Sequence, residues 1–350
     1  MAVGSRLPLG VEPTTPPRSA VRSPALQDAP IAGGGGSADH VARPPRGTVD
    51  RFRALGVVLI ALGFSVATSA LIGPLVLDQM QYRTSATTLN QLMGGDAASL
   101  FVVAPLALVA GVLALRRHPV APLLALGPAL YAVYMFAQVV IGQEYLRLPG
   151  NVEQFFPLLL GVFVLGEAAV VLAWGAVPAD LPVLSHRLER IAGAALILVA
   201  VFLVLGQHLR PMVIAWQDPS SLTEYASSPT PFWMVKLMDL GIIVPAALAT
   251  GIGVLRGVAW ARRAMYAMLT GYTCLAIAVA AMGVIMYAND DPDASLGLAG
   301  GFVMFALLFA TLTTLLYRPL FAHRRSVHDC PAGLGGATAD SVTTTAATNG

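Results

Sequence analysis

Eight apolar runs, separated by short polar stretches, constrain this chain more than any other feature. They are Ala54 to Leu77, Ala97 to Leu115, Val120 to Gly142, Phe155 to Val177, Ile191 to Leu209, Phe232 to Leu255, Ala264 to Tyr287 and Leu296 to Tyr317. About 20 mostly apolar residues in helical form cross the hydrocarbon of a bilayer. Lipid offers backbone groups no partners outside their own segment, and barrel strands would alternate in polarity, which these runs do not. The expected fold is therefore all-α, a polytopic membrane protein with eight transmembrane helices. Composition agrees, with 11% charged residues and a mean hydropathy of +0.71, against roughly 25% charged in soluble domains. A water-soluble globule is excluded, and the lipid bilayer is the expected partner.

The arginines set an expected orientation. With the N-terminus placed inside, the inward segments hold Arg6, Arg18, Arg22, Arg43, Arg46, Arg51, Arg53, Arg116, Arg117, Arg187, Arg190, Arg256, Arg262, Arg263, Arg318, Arg324 and Arg325. The outward segments hold Arg83, Arg147, Arg210 and Lys236, a ratio of 17 to 4. Basic residues accumulate on the cytoplasmic side, so both termini are expected in the cytoplasm. The net charge of +2 carries no sign of nucleic-acid binding. Nine outer carboxylates, Asp78, Asp96, Glu144, Glu153, Asp218, Glu224, Asp290, Asp291 and Asp293, face three arginines, a net −6 that mirrors the same bias on solvated loops.

Between two tails lies an internal similarity. Sliding the chain by 140 residues lays LFVVAPLALVAGVLALR (Leu100 to Arg116) over LGIIVPAALATGIGVLR (Leu240 to Arg256), with seven identities in 17 positions. The shared proline, glycine and closing arginine are not what generic hydrophobicity supplies. Pro74 and Pro211 fall at the outer end of the first helix of each half, three residues off that register. The expectation is two tandem four-helix repeats, residues 51–177 and 191–320, joined by a cytoplasmic linker at 178–190. An even helix count gives both repeats the same orientation, hence parallel repeats with the cavity at their interface. The proline- and glycine-rich residues 1–50 and the small, polar residues 321–350 are expected to be disordered cytoplasmic tails.

Three ionisable residues stand out within the runs. Glu167 lies near the centre of the fourth, where a carboxylate costs at least ~2.5 kcal/mol and should therefore face the protein interior. It is expected to serve either as a proton carrier or substrate anchor in a transporter-like cavity or as interhelical glue to Thr270, Tyr272 or Thr311. Lys236 is the only lysine of the chain, three residues before Asp239. That spacing puts the two on one helix face, where the lysine can neutralise the aspartate. The pair reads as a helix-end anchor or as a binding subsite for a zwitterion or ion. In the other half the same register places Asp96 opposite Lys236 and Ser99 opposite Asp239. His208, at the outer end of the fifth run, reads as a solvated cap rather than a pH sensor or metal ligand.

The chain lacks HExxH, CxxC, GxSxG and the phosphate-binding GxxxxGK[ST]. Its two cysteines, Cys274 and Cys330, make neither a disulfide framework nor a metal site. No helix carries paired histidines for haem, so no cofactor is expected. The stretch FWMVKLMDLGIIVPAALATGIGVLR (Phe232 to Arg256) resembles a segment of multi-pass membrane proteins of high-GC bacteria that have no assigned activity. The resemblance implies an inner-membrane location and supplies no chemistry. The leading functional expectation is a small-solute or proton-coupled transporter with Glu167, Lys236 and Asp239 lining a cavity between repeats. The alternative is a non-transporting membrane scaffold, sensor or accessory subunit; an intramembrane enzyme is the weakest of the three.

Overall fold

The computed structural model describes residues 46–178, 181–182 and 184–328, with side chains placed for 50–178, 181–182 and 184–321. Apart from 46–50 and 321–328, which are helical, the two expected tails lie outside the described residues. The described chain contains helices and turns and no strand. Eight helices are long and apolar enough to cross a membrane: α1 (Asp50–Ile72), α2 (Ala86–Leu115), α3 (Ala121–Ile141), α4 (Val152–Ala176), α5 (His186–Gln217), α6 (Pro229–Leu255), α7 (Ala259–Ala288) and α8 (Leu296–Phe321).

Among the boundaries that differ from the sequence expectation, three bear on where polar residues fall. α1 stops at Ile72, where the chain turns: the Gly73 carbonyl accepts from the Val76 and Asp78 amides and the Ile72 carbonyl from Met80. α2 starts at Ala86, well before Ala97, because Ser85 caps it by accepting from the Thr88 amide. Asp96 therefore sits inside a helix, not in an outer loop. α5 runs on to Gln217, past Pro211.

Proline explains how α2, α5 and α6 are built. Each contains a π-helical segment, at Ser99–Val103, Phe202–His208 and Asp239–Ile243. A proline follows each segment, Pro105, Pro211 and Pro245, and its ring would clash with the carbonyl four residues earlier. In all three helices that carbonyl belongs to a π residue, Phe101, Gln207 or Gly241. The widened turn moves the carbonyl aside and lets the helix continue.

Buried residues make up 56% and 50% of the apolar windows of α3 and α7, but 22% and 17% in α4 and α8. The first pair therefore forms the centre of the bundle and the second its rim. α1 packs on α2 and α4, α3 on α4 and α7, α5 on α6, and α7 also on α2, α6 and α8. Leu55, Leu59, Leu62, Tyr131, Met265 and Tyr266 are fully enclosed in this core. α1 and α2 cross where Gly56 and Gly111 face each other, so closely that a Cβ on Gly56 would lie 3.0 Å from the Gly111 carbonyl. α5 and α6 cross at Gly193 and Gly251 in the same way, at 3.1 Å.

One end of the bundle is tied by side chains from several loops. Asn151 accepts from the Gln81 amide at 2.7 Å, Arg83 donates to Glu153 at 2.9 Å, and Asn90 donates to Asp291 at 2.8 Å. The bond from Arg83 raises its own pKa. At the same end Asp218 accepts from Ser220, which holds its carboxyl below the ordinary value.

Candidate functional site

The π segments of α5 and α6 bring together the polar residues of the second half. His208 closes the first of these segments and Asp239 opens the other. His208 Nε2 lies 2.8 Å from Asp239 Oδ2, and Tyr134 of α3 donates to Asp239 Oδ1. His208 and Asp239 are 6% and 9% exposed, so this three-helix connection is enclosed. Asp239 lies ten residues along α6, about 15 Å from its start. His208 Nδ1 and Gln138 Nε2, one turn beyond Tyr134 on α3, are buried without a hydrogen-bond partner among the described residues. With its proton on Nε2, His208 donates to Asp239, and Nδ1 is left as a buried acceptor without a partner among the described residues. The tautomer follows from the hydrogen-bond pattern. Carboxylate, imidazole and phenol in series can hold a proton and pass it between helices.

Lys236 lies one turn earlier on α6 and is 5% exposed. Its ammonium sits 3.2 Å from the centre of the Phe232 ring. Among the described residues no carboxylate comes within the 4.0 Å of an ion pair with it. The expected Lys236–Asp239 pair is therefore not formed. The π segment begins at Asp239, and both carboxylate oxygens are taken by partners on α3 and α5.

An open groove of about 920 Å³ adjoins the cluster, lined by Ile141 of α3, Met212 of α5, and Trp233, Lys236, Leu237 and Leu240 of α6. Trp233 stacks on Trp216 with ring centres 6.3 Å apart. The wall is almost wholly apolar, with Lys236 its one charged member.

Glu167 departs from expectation. It is exposed on the outward face of α4, in line with Leu160, Val164, Val171 and Trp174, and does not join the α5–α6 cluster. The expected partners are engaged elsewhere: Thr270 donates to the Tyr266 carbonyl at 2.7 Å, Tyr272 to the Ile243 carbonyl at 2.8 Å and Thr311 to the Leu307 carbonyl at 2.7 Å. α4 is a rim helix, and hydropathy alone does not say which side of such a helix meets the core. His208 departs too, being buried and bonded instead of solvated. Tyr134 and Gln138 were not singled out from the sequence. The signal was a polar line on α3, Tyr131, Tyr134 and Gln138, spaced as one helix face.

In the first half the corresponding positions are self-contained. Tyr82 donates to Asp96 at 3.2 Å, and the Ser99 and Tyr131 hydroxyls meet at 3.0 Å. Tyr131 also reaches the Gly95 carbonyl at 3.1 Å. Among the described residues no three His, Cys, Asp or Glu side chains are grouped to hold a metal ion.

The eight apolar helices define an integral, multi-pass membrane protein. No protein-family model, curated protein or solved structure matches the chain.

Proposed function

We propose that the chain is a proton-coupled transporter of a small solute, with Asp239, His208 and Tyr134 as the proton site and Lys236 beside it as the solute-facing charge. The observation that carries this reading is the enclosed hydrogen-bonded series across α3, α5 and α6, placed on two π segments and next to an unpaired lysine. Ionisable residues inside a membrane span are costly and mark ion and substrate pathways, and π segments recur at functional sites. Protonation of the His208–Asp239 pair changes the charge beside Lys236, which couples proton occupancy to anion or zwitterion occupancy.

The transporter reading includes two tandem four-helix repeats. Its support is the 140-residue spacing of the π segments Ser99–Val103 and Asp239–Ile243 and the two glycine crossings in matching positions. It also includes a bacterial inner membrane with both termini cytoplasmic, supported by the arginine distribution.

The test is proteoliposomes loaded with a pH-sensitive dye, acidified outside and offered amino acids and small carboxylates. Solute-dependent internal acidification is expected, lost in Asp239→Asn and His208→Gln. Acidification equal to that of protein-free vesicles for every solute overturns the reading. A second reading, a scaffold, sensor or accessory subunit, draws on α4. Pro157, Leu160, Val164, Glu167, Val171 and Trp174 are exposed at alternating three- and four-residue spacing, the seam of helix pairing.

A further inference from the structure

We infer that the groove between α3, α5 and α6 binds an anionic glycerophospholipid of the surrounding bilayer, its phosphate at Lys236 and an acyl chain along Trp233, Leu237 and Leu240. The inference names a membrane partner for the proposed functional site and rests on that reading in taking Lys236 as the site's anion-holding member: the lipid phosphate holds Lys236 while no solute does, and an arriving solute displaces it.

The lysine carries the argument. It is 95% buried, and it forms part of the groove wall. Two carboxylates act on it from a distance, Glu224 and Asp239, and neither is within ion-pair reach. Asp239 is turned away by its bonds to Tyr134 and His208. Contact with the Phe232 ring favours the cation without neutralising it. A buried cation without a counter-ion is expensive, and a monoanion at the groove wall removes that cost.

The rest of the groove selects the kind of anion. Its lining is apolar on both sides of Lys236, and its volume of about 920 Å³ suits a ligand with a hydrocarbon body. It opens beside Leu237 and Ile141, which are 74% and 59% exposed on the outside of the bundle, where the bilayer lies against a membrane protein. A lipid can enter from the side without crossing water. The stacked Trp216 and Trp233 supply the amphipathic surface found at headgroup level. A zwitterionic lipid would bring its own ammonium towards Lys236, so the single positive charge favours a lipid of net charge −1.

The experiment uses the full chain with Trp174 and Trp260 changed to phenylalanine, leaving Trp216 and Trp233 as reporters. The protein is reconstituted in phosphatidylcholine vesicles containing a small fraction of dibrominated phosphatidylglycerol or, at equal bromine, dibrominated phosphatidylcholine. Preferential quenching by the anionic lipid of roughly fivefold is expected, retained in Lys236→Arg and reduced to no preference in Lys236→Gln. Asp239→Asn and His208→Gln keep the preference even where proton coupling is lost, so failure of transport and failure of lipid binding are separable. Equal quenching by the two lipids, or an unchanged preference in Lys236→Gln, overturns the inference. So does quenching by free dibromostearate in place of phosphatidylglycerol, which would assign the groove to a free acid.

Discussion

α2 and α6 are built alike and meet their neighbours differently. Each carries a π segment followed by a proline, and each crosses the preceding helix at a glycine pair. Where α2 meets α7, Gly94 leaves room for the backbone of Met282. Where α6 meets α3, the arrangement is exchanged: Met234 stands 140 residues after Gly94, and Gly142 stands 140 residues before Met282. A Cβ on Gly142 would lie 2.7 Å from the Met234 methyl. In the first case backbone meets backbone, and in the second a long side chain fills the space. The comparison teaches that two helices of similar build make a sealed contact or border an open groove according to which partner holds the glycine.

Gly94→Met breaks that comparison most severely. The new side chain would have to occupy the place of the Met282 backbone, an overpacking with no flexible neighbour to yield. The expected cost exceeds the usual 1–3 kcal/mol or so for core overpacking, and the protein should elute as an aggregate in size-exclusion chromatography. A monodisperse, thermally unshifted Gly94→Met protein would show that α2 and α7 do not approach as described. Met234→Gly should instead stay folded and elute as a monodisperse species, because it removes a side chain and forces no backbone apart.

The paired positions Asp239 and Ser99 sharpen the contrast at lower energy. Asp239→Ala strands the buried His208 Nε2, at about 1–3 kcal/mol, and takes a partner from the half-buried Tyr134 hydroxyl. Ser99→Ala removes one neutral hydrogen bond from Tyr131, whose hydroxyl retains the Gly95 carbonyl, for about 1 kcal/mol or less. Thermal unfolding in detergent should therefore place Asp239→Ala well below Ser99→Ala. Equal shifts would mean that His208 and Tyr134 find water once the carboxylate is gone, and that the cluster is wetter than its burial implies.

The sequence spoke clearly about the frame and less clearly about the site. The eight apolar runs and their order follow from length and hydropathy, because a bilayer tolerates few alternatives. The matching prolines at 105 and 245 carried real geometric information, since each sits beside a π segment. Glu167 misled, because the cost of a carboxylate in lipid says where it should not face and cannot say how a rim helix is turned. His208 misled in the opposite direction. An apolar run that ends near Leu209 puts it at the solvated interface, whereas the π segment carries the helix past Pro211 and buries the imidazole against Asp239. The expected Lys236–Asp239 pair takes their spacing of three as that of a regular helix, and the turn that starts at Asp239 directs the carboxylate elsewhere.

The finest probe of the difference between halves is Tyr82, which closes off Asp96 where the second half leaves Lys236 open. Burial, and secondarily the Asp96 charge, raises the Tyr82 phenol well above its ordinary value. The folded protein thus holds this proton more tightly than the unfolded chain. Tyr82 stabilises fully below the ordinary tyrosine pKa of about 10, and its contribution fades as pH climbs above that value towards the raised one. Tyr82→Phe loses the bond to Asp96, worth about 1 kcal/mol, and loses the titration with it. The gap in unfolding midpoint between the wild type and Tyr82→Phe should be smaller at pH 11 than at pH 9. A gap that stays the same at pH 11 would mean that Tyr82 titrates alike in the folded and unfolded chains, and that the first half is no better sealed than the second.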